Sequence, residues 1–283
     1  MTALKKDPNF EVAYLGPEGT YAHLVAKQRY PQPSAKLIPF GSVPEVFEYL
    51  ERNKKGKGIV PIENSSGGLI LPTIDGIIDH ACTLYIEEEL SIDVKLALMS
   101  KKGRKIETIY SHFAPLHHCE KFLRKHYPSA KTSPCTSTAN AAKAAAEDNH
   151  GAAIGSLDQA DIHGFEVLEY PILQDVPNVT QFFLMSHNKV ATPKAKKTSL
   201  VVALPDYPGS LVDFLKPFAD AKVSLKRIES RPIVGQPNTY NFLVELDGTE
   251  KDAMVAKAMK SAEKVSVKFH NVGSYPVVAQ FKS

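Results

Sequence analysis

The sequence predicts an α/β protein in two parts, and three observations carry that prediction. Through the first two-thirds of the 283 residues, short apolar runs alternate with stretches of helical periodicity. At Val190 to Lys197 the pattern breaks into a short polar segment holding Pro193. Beyond it the order is strand, helix, strand, strand, helix, strand, which is a ferredoxin-like βαββαβ arrangement. The length is too great for a comfortable single core. The expected division is therefore 10–189, a linker at 190–197, and 198–283.

The elements follow in order. Glu11 to Leu15 reads as a strand, and Thr20 opens a helix with Tyr21, Leu24 and Val25 on one face. Ser42-Val-Pro-Glu45 has capping-box spacing ahead of Val46, Phe47 and Leu50. Gly58 to Ile62 is a buried-type strand, and Leu69 to His80 a helix. Two strands are expected at Leu84 to Leu90 and Ser91 to Met99, then one at Lys105 to Ser111. Helices follow at Pro115 to His126 and Ser137 to Asn149, with strands at Gly151 to Ile154 and Phe182 to Met185. In the second part, Thr198 to Leu204, Val223 to Ile233, Thr239 to Leu246 and Val265 to Val272 are strands. Gly209 to Ala221 and Lys251 to Lys264 are its helices, and Val234 to Asn238 is turn-rich.

Composition excludes several function classes. The net charge is only +3, with both signs interspersed, and a nucleic-acid reader needs a basic stripe. Lys194, Lys196 and Lys197 form the one basic cluster and read as a solvated linker. No apolar stretch approaches the ~18 residues that span a bilayer. Met1 to Phe10 is polar and lacks an apolar export signal, so a cytoplasmic location is expected. Cys82, Cys119 and Cys135 are odd in number with no CxxC pair, which suggests free thiols. His117, His118 and Cys119 adjoin, but neighbours on a helix point apart, so no metal site is expected there.

Four strand-to-helix turns could hold an anion: Gly16-Pro-Glu-Gly-Thr20, Glu63-Asn-Ser-Ser-Gly-Gly68, Ser111-His-Phe-Ala114 and Thr136-Ser-Thr138. Such turns present unpaired backbone N–H groups at a positive helix end. Ser, Thr and Asn add directional donors, and ligands in open α/β sheets bind beyond the carboxyl ends of strands. Taken singly, each turn is equally what any α/β junction contains.

The wording of these turns together resembles the prephenate dehydratase family. The matching strings are Gly16-Pro-Glu-Gly-Thr-Tyr21, Val60-Pro-Ile-Glu-Asn-Ser-Ser-Gly67, Ser111-His112, Ser137-Thr-Ala-Asn-Ala-Ala142, Ala152-Ala-Ile-Gly-Ser156 and Asn178-Val-Thr-Gln-Phe182. Past the linker, Gly209-Ser-Leu-Val212 and Glu229-Ser-Arg-Pro232 resemble the effector motifs of an attached ACT domain. The resemblance implies two lobes around a cleft, as in periplasmic binding proteins. It implies conversion of prephenate to phenylpyruvate, carbon dioxide and water without metal or organic cofactor. Thr180 matches the catalytic threonine, whose hydroxyl would hydrogen-bond the departing oxygen. Thr20, Asn64, Ser65, Thr138 and Ser156 would position substrate groups. His112 would tune protons or be structural, and Phe182 would pack on the ring or fill the core.

One position departs from the family pattern. Gln181 stands where the family has an arginine, so it enters the expected site as a neutral amide in place of a guanidinium. Loss of a charge-assisted hydrogen bond costs about 1.5–3 kcal/mol, or roughly ten- to a hundredfold. Three altered readings follow: a prephenate decarboxylase that retains the hydroxyl, an arogenate dehydratase, and a non-catalytic binder of prephenate or phenylalanine. For the second part, the resemblance implies a phenylalanine pocket at Gly209, Ser210, Leu211, Glu229, Ser230, Arg231 and Pro232. That pocket would be shared between subunits of a homodimer or homotetramer, and Ser210 stands where alanine is common.

Overall fold

The computed structural model describes residues 10–31, 34–189, 192–233, 235–236 and 239–283. Part of the expected linker (190–191) and part of the 234–238 turn (234 and 237–238) lie outside the described residues.

The chain begins β1 (Phe10–Leu15), α1 (Tyr21–Arg29), β2 (Ala35–Phe40), α2 (Val43–Arg52), β3 (Lys57–Asn64), β4 (Gly68–Leu69) and α3 (Leu71–Asp79). It continues through β5 (Tyr85–Asp93), β6 (Ala97–Ser100), β7 (Thr108–His112), α4 (Phe113–His118), α5 (Glu120–His126), β8 (Lys131–Cys135), α6 (Thr138–Glu147), β9 (Gly151–Gly155) and α7 (Asp158–His163). β10 (Glu166–Glu169) and β11 (Val179–Ser186) follow. The last part holds β12 (Lys197–Ala203), α8 (Ser210–Asp220), β13 (Leu225–Pro232), β14 (Tyr240–Asp247), α9 (Ala253–Glu263), β15 (Lys268–Tyr275) and β16 (Phe281–Lys282).

Three sheets result. The first runs β16-β5-β11-β3-β1-β2, with β4 on β3; the second runs β10-β6-β9-β7-β8. The chain crosses from the first to the second after β5 and returns before β11, which makes two lobes joined by two strands' worth of backbone. The third sheet runs β13-β14-β12-β15, the ferredoxin-like order expected from the sequence.

Strand alternation divides the first sheet's side chains between two cores. Val12, Tyr14, Ile59, Phe182 and Leu184 face α1 and reach Ile109 and Ile154 of the second lobe. Ala13, Val60, Ile62, Phe183 and Met185 face α2 and α3. On that side they also meet Val201, Leu243, Val272 and Tyr275 of the third sheet. The third sheet's other face, with Leu200, Val202, Val244 and Leu246, is covered by Phe214 and Phe218 of α8 and by α9. The third sheet is thus packed directly on the first. At its closest approach Gly273 has φ +139°, and a Cβ there would stand 2.5 Å from the Ile86 carbonyl oxygen. Only glycine fits that juncture.

The structure departs from the sequence expectation in several elements. Edge strands β2 and β8 carry Pro39 and Pro134, and β10 is wholly exposed, so none shows the apolar alternation of a central strand. The strand expected at Leu84 to Leu90 runs on to Asp93, and the one expected at Ser91 to Met99 is confined to Ala97 to Ser100, because the chain leaves the first sheet only after Asp93. The expected 115–126 helix breaks at Cys119. The carbonyl of His118 accepts from the Asp175 amide at 2.9 Å, which takes it out of the helical ladder. The box at Ser42 also closes differently, since Glu45 Oε2 accepts from the Gly41 amide at 3.0 Å.

Candidate active site

The expected site residues of the first part lie at or just beyond the carboxyl ends of β1, β3, β7, β8 and β9, or at the facing start of β11. β1 and β3 are parallel in the first sheet, and β7, β8 and β9 in the second. β11 runs antiparallel to β3, which sets Thr180 directly opposite Asn64. Asn64 Oδ1 accepts from the Ser66 amide (3.1 Å), Ser66 Oγ (2.7 Å) and the Gly67 amide (2.8 Å). That turn fixes the side-chain amide, leaving both Nδ2 hydrogens to point across the strand. One goes to Asn178 Oδ1 at 2.8 Å and the other to Thr180 Oγ1 at 2.9 Å. Thr180 is therefore an acceptor toward Asn64, and its own hydroxyl hydrogen is not spent on that contact.

Asn178 extends the network into the second lobe. Its Nδ2 donates to Gln174 Oε1 at 2.9 Å and lies 3.5 Å from His118 Nδ1. His118 is buried, and burial holds its imidazole below the ordinary value, with the neighbouring His117 adding to the effect. A neutral ring leaves Nδ1 free to accept from the amide. Sequence reasoning missed both residues. Asn178 stands two positions before Thr180 and so shares its side of the strand, which was the available signal; His118 showed only as one of three adjoining polar residues.

The hydroxyls sort by whether their hydrogen is already committed. Thr20 Oγ1 donates to the Leu15 carbonyl (2.9 Å) and accepts from the His23 amide as the N-cap of α1. Ser65 Oγ donates to the Pro177 carbonyl (3.0 Å) and accepts from the Val179 amide (2.9 Å), stapling the 64–67 turn to the returning chain. Ser156, fully buried, donates to the Gly19 carbonyl at 2.7 Å and so ties the two lobes together. For Thr138 and Thr180 no such donation occurs among the described residues. Thr20, Ser65 and Ser156 thus act on the walls of the crevice in this structure, whatever they do toward a ligand.

His112 lies at the start of α4, half-buried against Phe113 at 4.3 Å between ring centroids, and burial lowers its pKa. No hydrogen bond among the described residues joins it, Thr138 or Ser156 to Thr180. Phe182 is buried in the first core, so it fills the interior and presents no ring surface to a substrate.

Gln181 is the main correction. It was expected beside the substrate, but adjacent residues in a strand face opposite ways. Its side chain lies on the far side of the first sheet, where Oε1 accepts from Arg227 Nη2 of β13 at 3.0 Å. It is not brought into the crevice with Thr180.

In the third sheet, β12 and β13 both run antiparallel to β14, so their carboxyl ends coincide. Gly209, at φ +98° and N-cap of α8, follows one of them with Ser210 and Leu211; Glu229 to Pro232 end the other. Ser230 and Pro232 are exposed. Arg231 is drawn the other way, its Nε and Nη2 gripping both oxygens of Asp75 in α3 at 2.6 and 2.9 Å. A cavity of about 130 Å³ lined by Lys189, Thr192, Thr249, Glu250 and Ser274 includes none of the expected residues.

The family model for prephenate dehydratase matches residues 12–190, which span both lobes and the Asn64–Thr180 pair. The chain belongs to the prephenate dehydratase family. A prephenate dehydratase of Lactococcus lactis is 33% identical over 277 residues, covering 94% of this chain and 98% of its own. A bifunctional chorismate mutase/prephenate dehydratase of Pseudomonas aeruginosa is 31% identical, covering 97% of this chain and 75% of its own. The crystal structure of prephenate dehydratase from Arthrobacter aurescens in complex with L-Phe superposes with a TM-score of 0.85 at 33% identity. It covers 94% of this chain and 89% of that one. Both lobes and the third sheet of the present chain therefore fall within the family's fold. Among the described residues no helix is long and apolar enough to cross a membrane.

Proposed function

We propose that this chain catalyses the decarboxylating dehydration of prephenate to phenylpyruvate, with Thr180 hydrogen-bonding the departing oxygen. The observation that carries this reading is the Asn64–Thr180 contact: a fixed amide donates to the threonine oxygen at 2.9 Å, so the hydroxyl hydrogen is available to a ligand. Aromatisation of the ring supplies the driving force; the protein must orient a dianion and stabilise the hydroxide that leaves. A threonine is too weak an acid to release its proton unaided. The three hydrogen bonds that Asn64 Oδ1 accepts polarise its amide as a donor, and that donor draws density from the Thr180 oxygen and favours donation by its hydroxyl. The N-terminal ends of α1 and α6, at the carboxyl ends of their strands, suit the substrate's carboxylates.

The position of Gln181 bears on the altered chemistries. Because that side chain faces away from the crevice, its substitution does not favour a hydroxyl-retaining reaction. In the same reading, 10–189 form the catalytic part, 190–197 the linker and 198–283 an ACT domain. Phenylalanine would bind near Gly209 to Leu211 and Glu229 to Pro232 and regulate turnover in a homo-oligomer, as the L-Phe complex of the Arthrobacter relative suggests. The test is incubation with prephenate and mass analysis of the products, with phenylpyruvate followed by its enolate absorbance in alkali. Thr180→Ala is expected to lose at least a hundredfold in kcat, and unchanged turnover would refute the assignment.

A further inference from the structure

Thr180 and Asn64 face each other across β11 and β3, and so do the residues beside them, Gln181 and Glu63. Alternation sends the first pair to the crevice and the second to the opposite face. There a single side chain touches both members of the second pair. Arg227 Nη2 donates to Glu63 Oε2 at 2.7 Å and to Gln181 Oε1 at 3.0 Å. Its Nη1 donates to Glu245 Oε2 at 3.0 Å, and its guanidinium carbon lies 5.8 Å from the centre of the Phe183 ring. The Arg227 and Glu245 side chains are only 7% and 2% exposed, so solvent screens that pair weakly, while Glu63 is 38% exposed.

The place of the contact matters as much as its strength. Register between β11 and β3 shifts between Gln181 and Phe182, immediately inside the two pairs. The ladder is interrupted there, and on the crevice side of the interruption Ser65 staples the two chains together. A planar guanidinium gripping one residue on each strand adds a second constraint from the opposite face. Arginine at position 181 would stand directly opposite Glu63. In this chain the cation reaches Glu63 from the third sheet instead.

We propose that Arg227 is a positioning residue for the reaction: it clamps Glu63 and Gln181 from behind and thereby holds the Asn64 amide against the Thr180 hydroxyl. The proposal rests on the reading of Thr180 given above. It is tested with steady-state kinetics on prephenate using the full chain. Arg227→Met is expected to lower kcat at least tenfold with KM within threefold of the parent. Adding Gln181→Arg to that variant returns a guanidinium opposite Glu63 and is expected to restore kcat to within threefold.

Parental kcat in the single variant, a loss shared by KM, or a loss that Gln181→Arg fails to repair overturns the proposal. Should Arg227→Met not fold, Arg227→Lys keeps the buried charge but not the fork. It is expected to lose three- to tenfold in kcat alone, and parental kcat in that variant is likewise contrary. Thr180→Ala in the same assay separates the two ideas. If it retains turnover, the assignment of Thr180 falls. If it is inactive while the Arg227 variants turn over normally, only the clamp falls.

Discussion

Replacing Asn64 by Asp changes one atom of the site and reverses the direction of a hydrogen bond. The Oδ1 that accepts from Ser66 and Gly67 is retained, so the turn after β3 survives. The Nδ2 that donates to Asn178 at 2.8 Å and Thr180 at 2.9 Å becomes a carboxylate oxygen. The donor contact to Asn178 disappears, at about 0.5–1.5 kcal/mol, while the contact to Thr180 persists with its direction reversed. The kinetic effect has a different origin. The Thr180 hydroxyl would rotate to donate to the new carboxylate, and a hydrogen bond to a charged group is worth about 1.5–3 kcal/mol. Returning that hydrogen to the departing oxygen then lowers kcat by about ten- to a hundredfold. The assay is prephenate turnover followed by enolate absorbance, for Asn64→Asp, Thr180→Ala and the double variant. If both act through one hydrogen, the double variant falls no further than Thr180→Ala. A kcat for Asn64→Asp within threefold of the parent, or additive losses in the double variant, would refute the reasoning.

Three further outcomes are expected. Gly273→Ala places a Cβ 2.5 Å from the Ile86 carbonyl at a left-handed φ, and it should cost about 1–3 kcal/mol or more by overpacking. A urea midpoint equal to the parent's would show that the two sheets do not meet so closely. Ser156→Ala removes the 2.7 Å bond to the Gly19 carbonyl and should destabilise by about 1–3 kcal/mol while raising KM; a parental melting temperature and KM would mean that this contact does not tie the lobes. Burial holds His112 and His118 below their ordinary 6.5, so the unfolded chain binds protons more readily than the folded one. Stability is then full above that value and declines as pH falls through it, and His118→Gln should flatten the decline in a melting series between pH 7 and 5.

Central strands were legible because they are buried on both faces. β3 and β11 carry unbroken apolar runs, Gly58 to Ile62 and Phe182 to Met185, that nothing exposed could sustain. Edge strands carry no such signature, and β2, β8 and β10 were accordingly missed. Within the site, the strings around Asn64 and Thr180 pointed to the right strand ends. Strand periodicity also separates the two: Thr180 and Gln181 are neighbours in a strand, so they cannot both face one crevice. What no local pattern could reveal is the partner of Gln181. Arg227 lies 46 residues away in another sheet, and its neighbours Lys226 and Glu229 make the stretch look like a solvated edge.

The chain enters and leaves the third sheet at one side. Lys197, where it enters, is paired with Tyr275, where it leaves. From there the backbone runs along the first sheet, bonding to Glu89, and ends by pairing β16 with β5. The two arginines that grip α3 and the β3–β11 ends sit on β13, at the opposite edge. A rigid plate pinned at two adjacent points can swing easily only about the line through the pins. The third sheet is thus mounted like a door, jamb at β12 and β15, latches at Arg227 and Arg231. Any swing must draw those latches and part the apolar layer of Val201, Leu243 and Val272 from the first sheet, and one latch bears on the strand ends that carry Asn64 and Thr180.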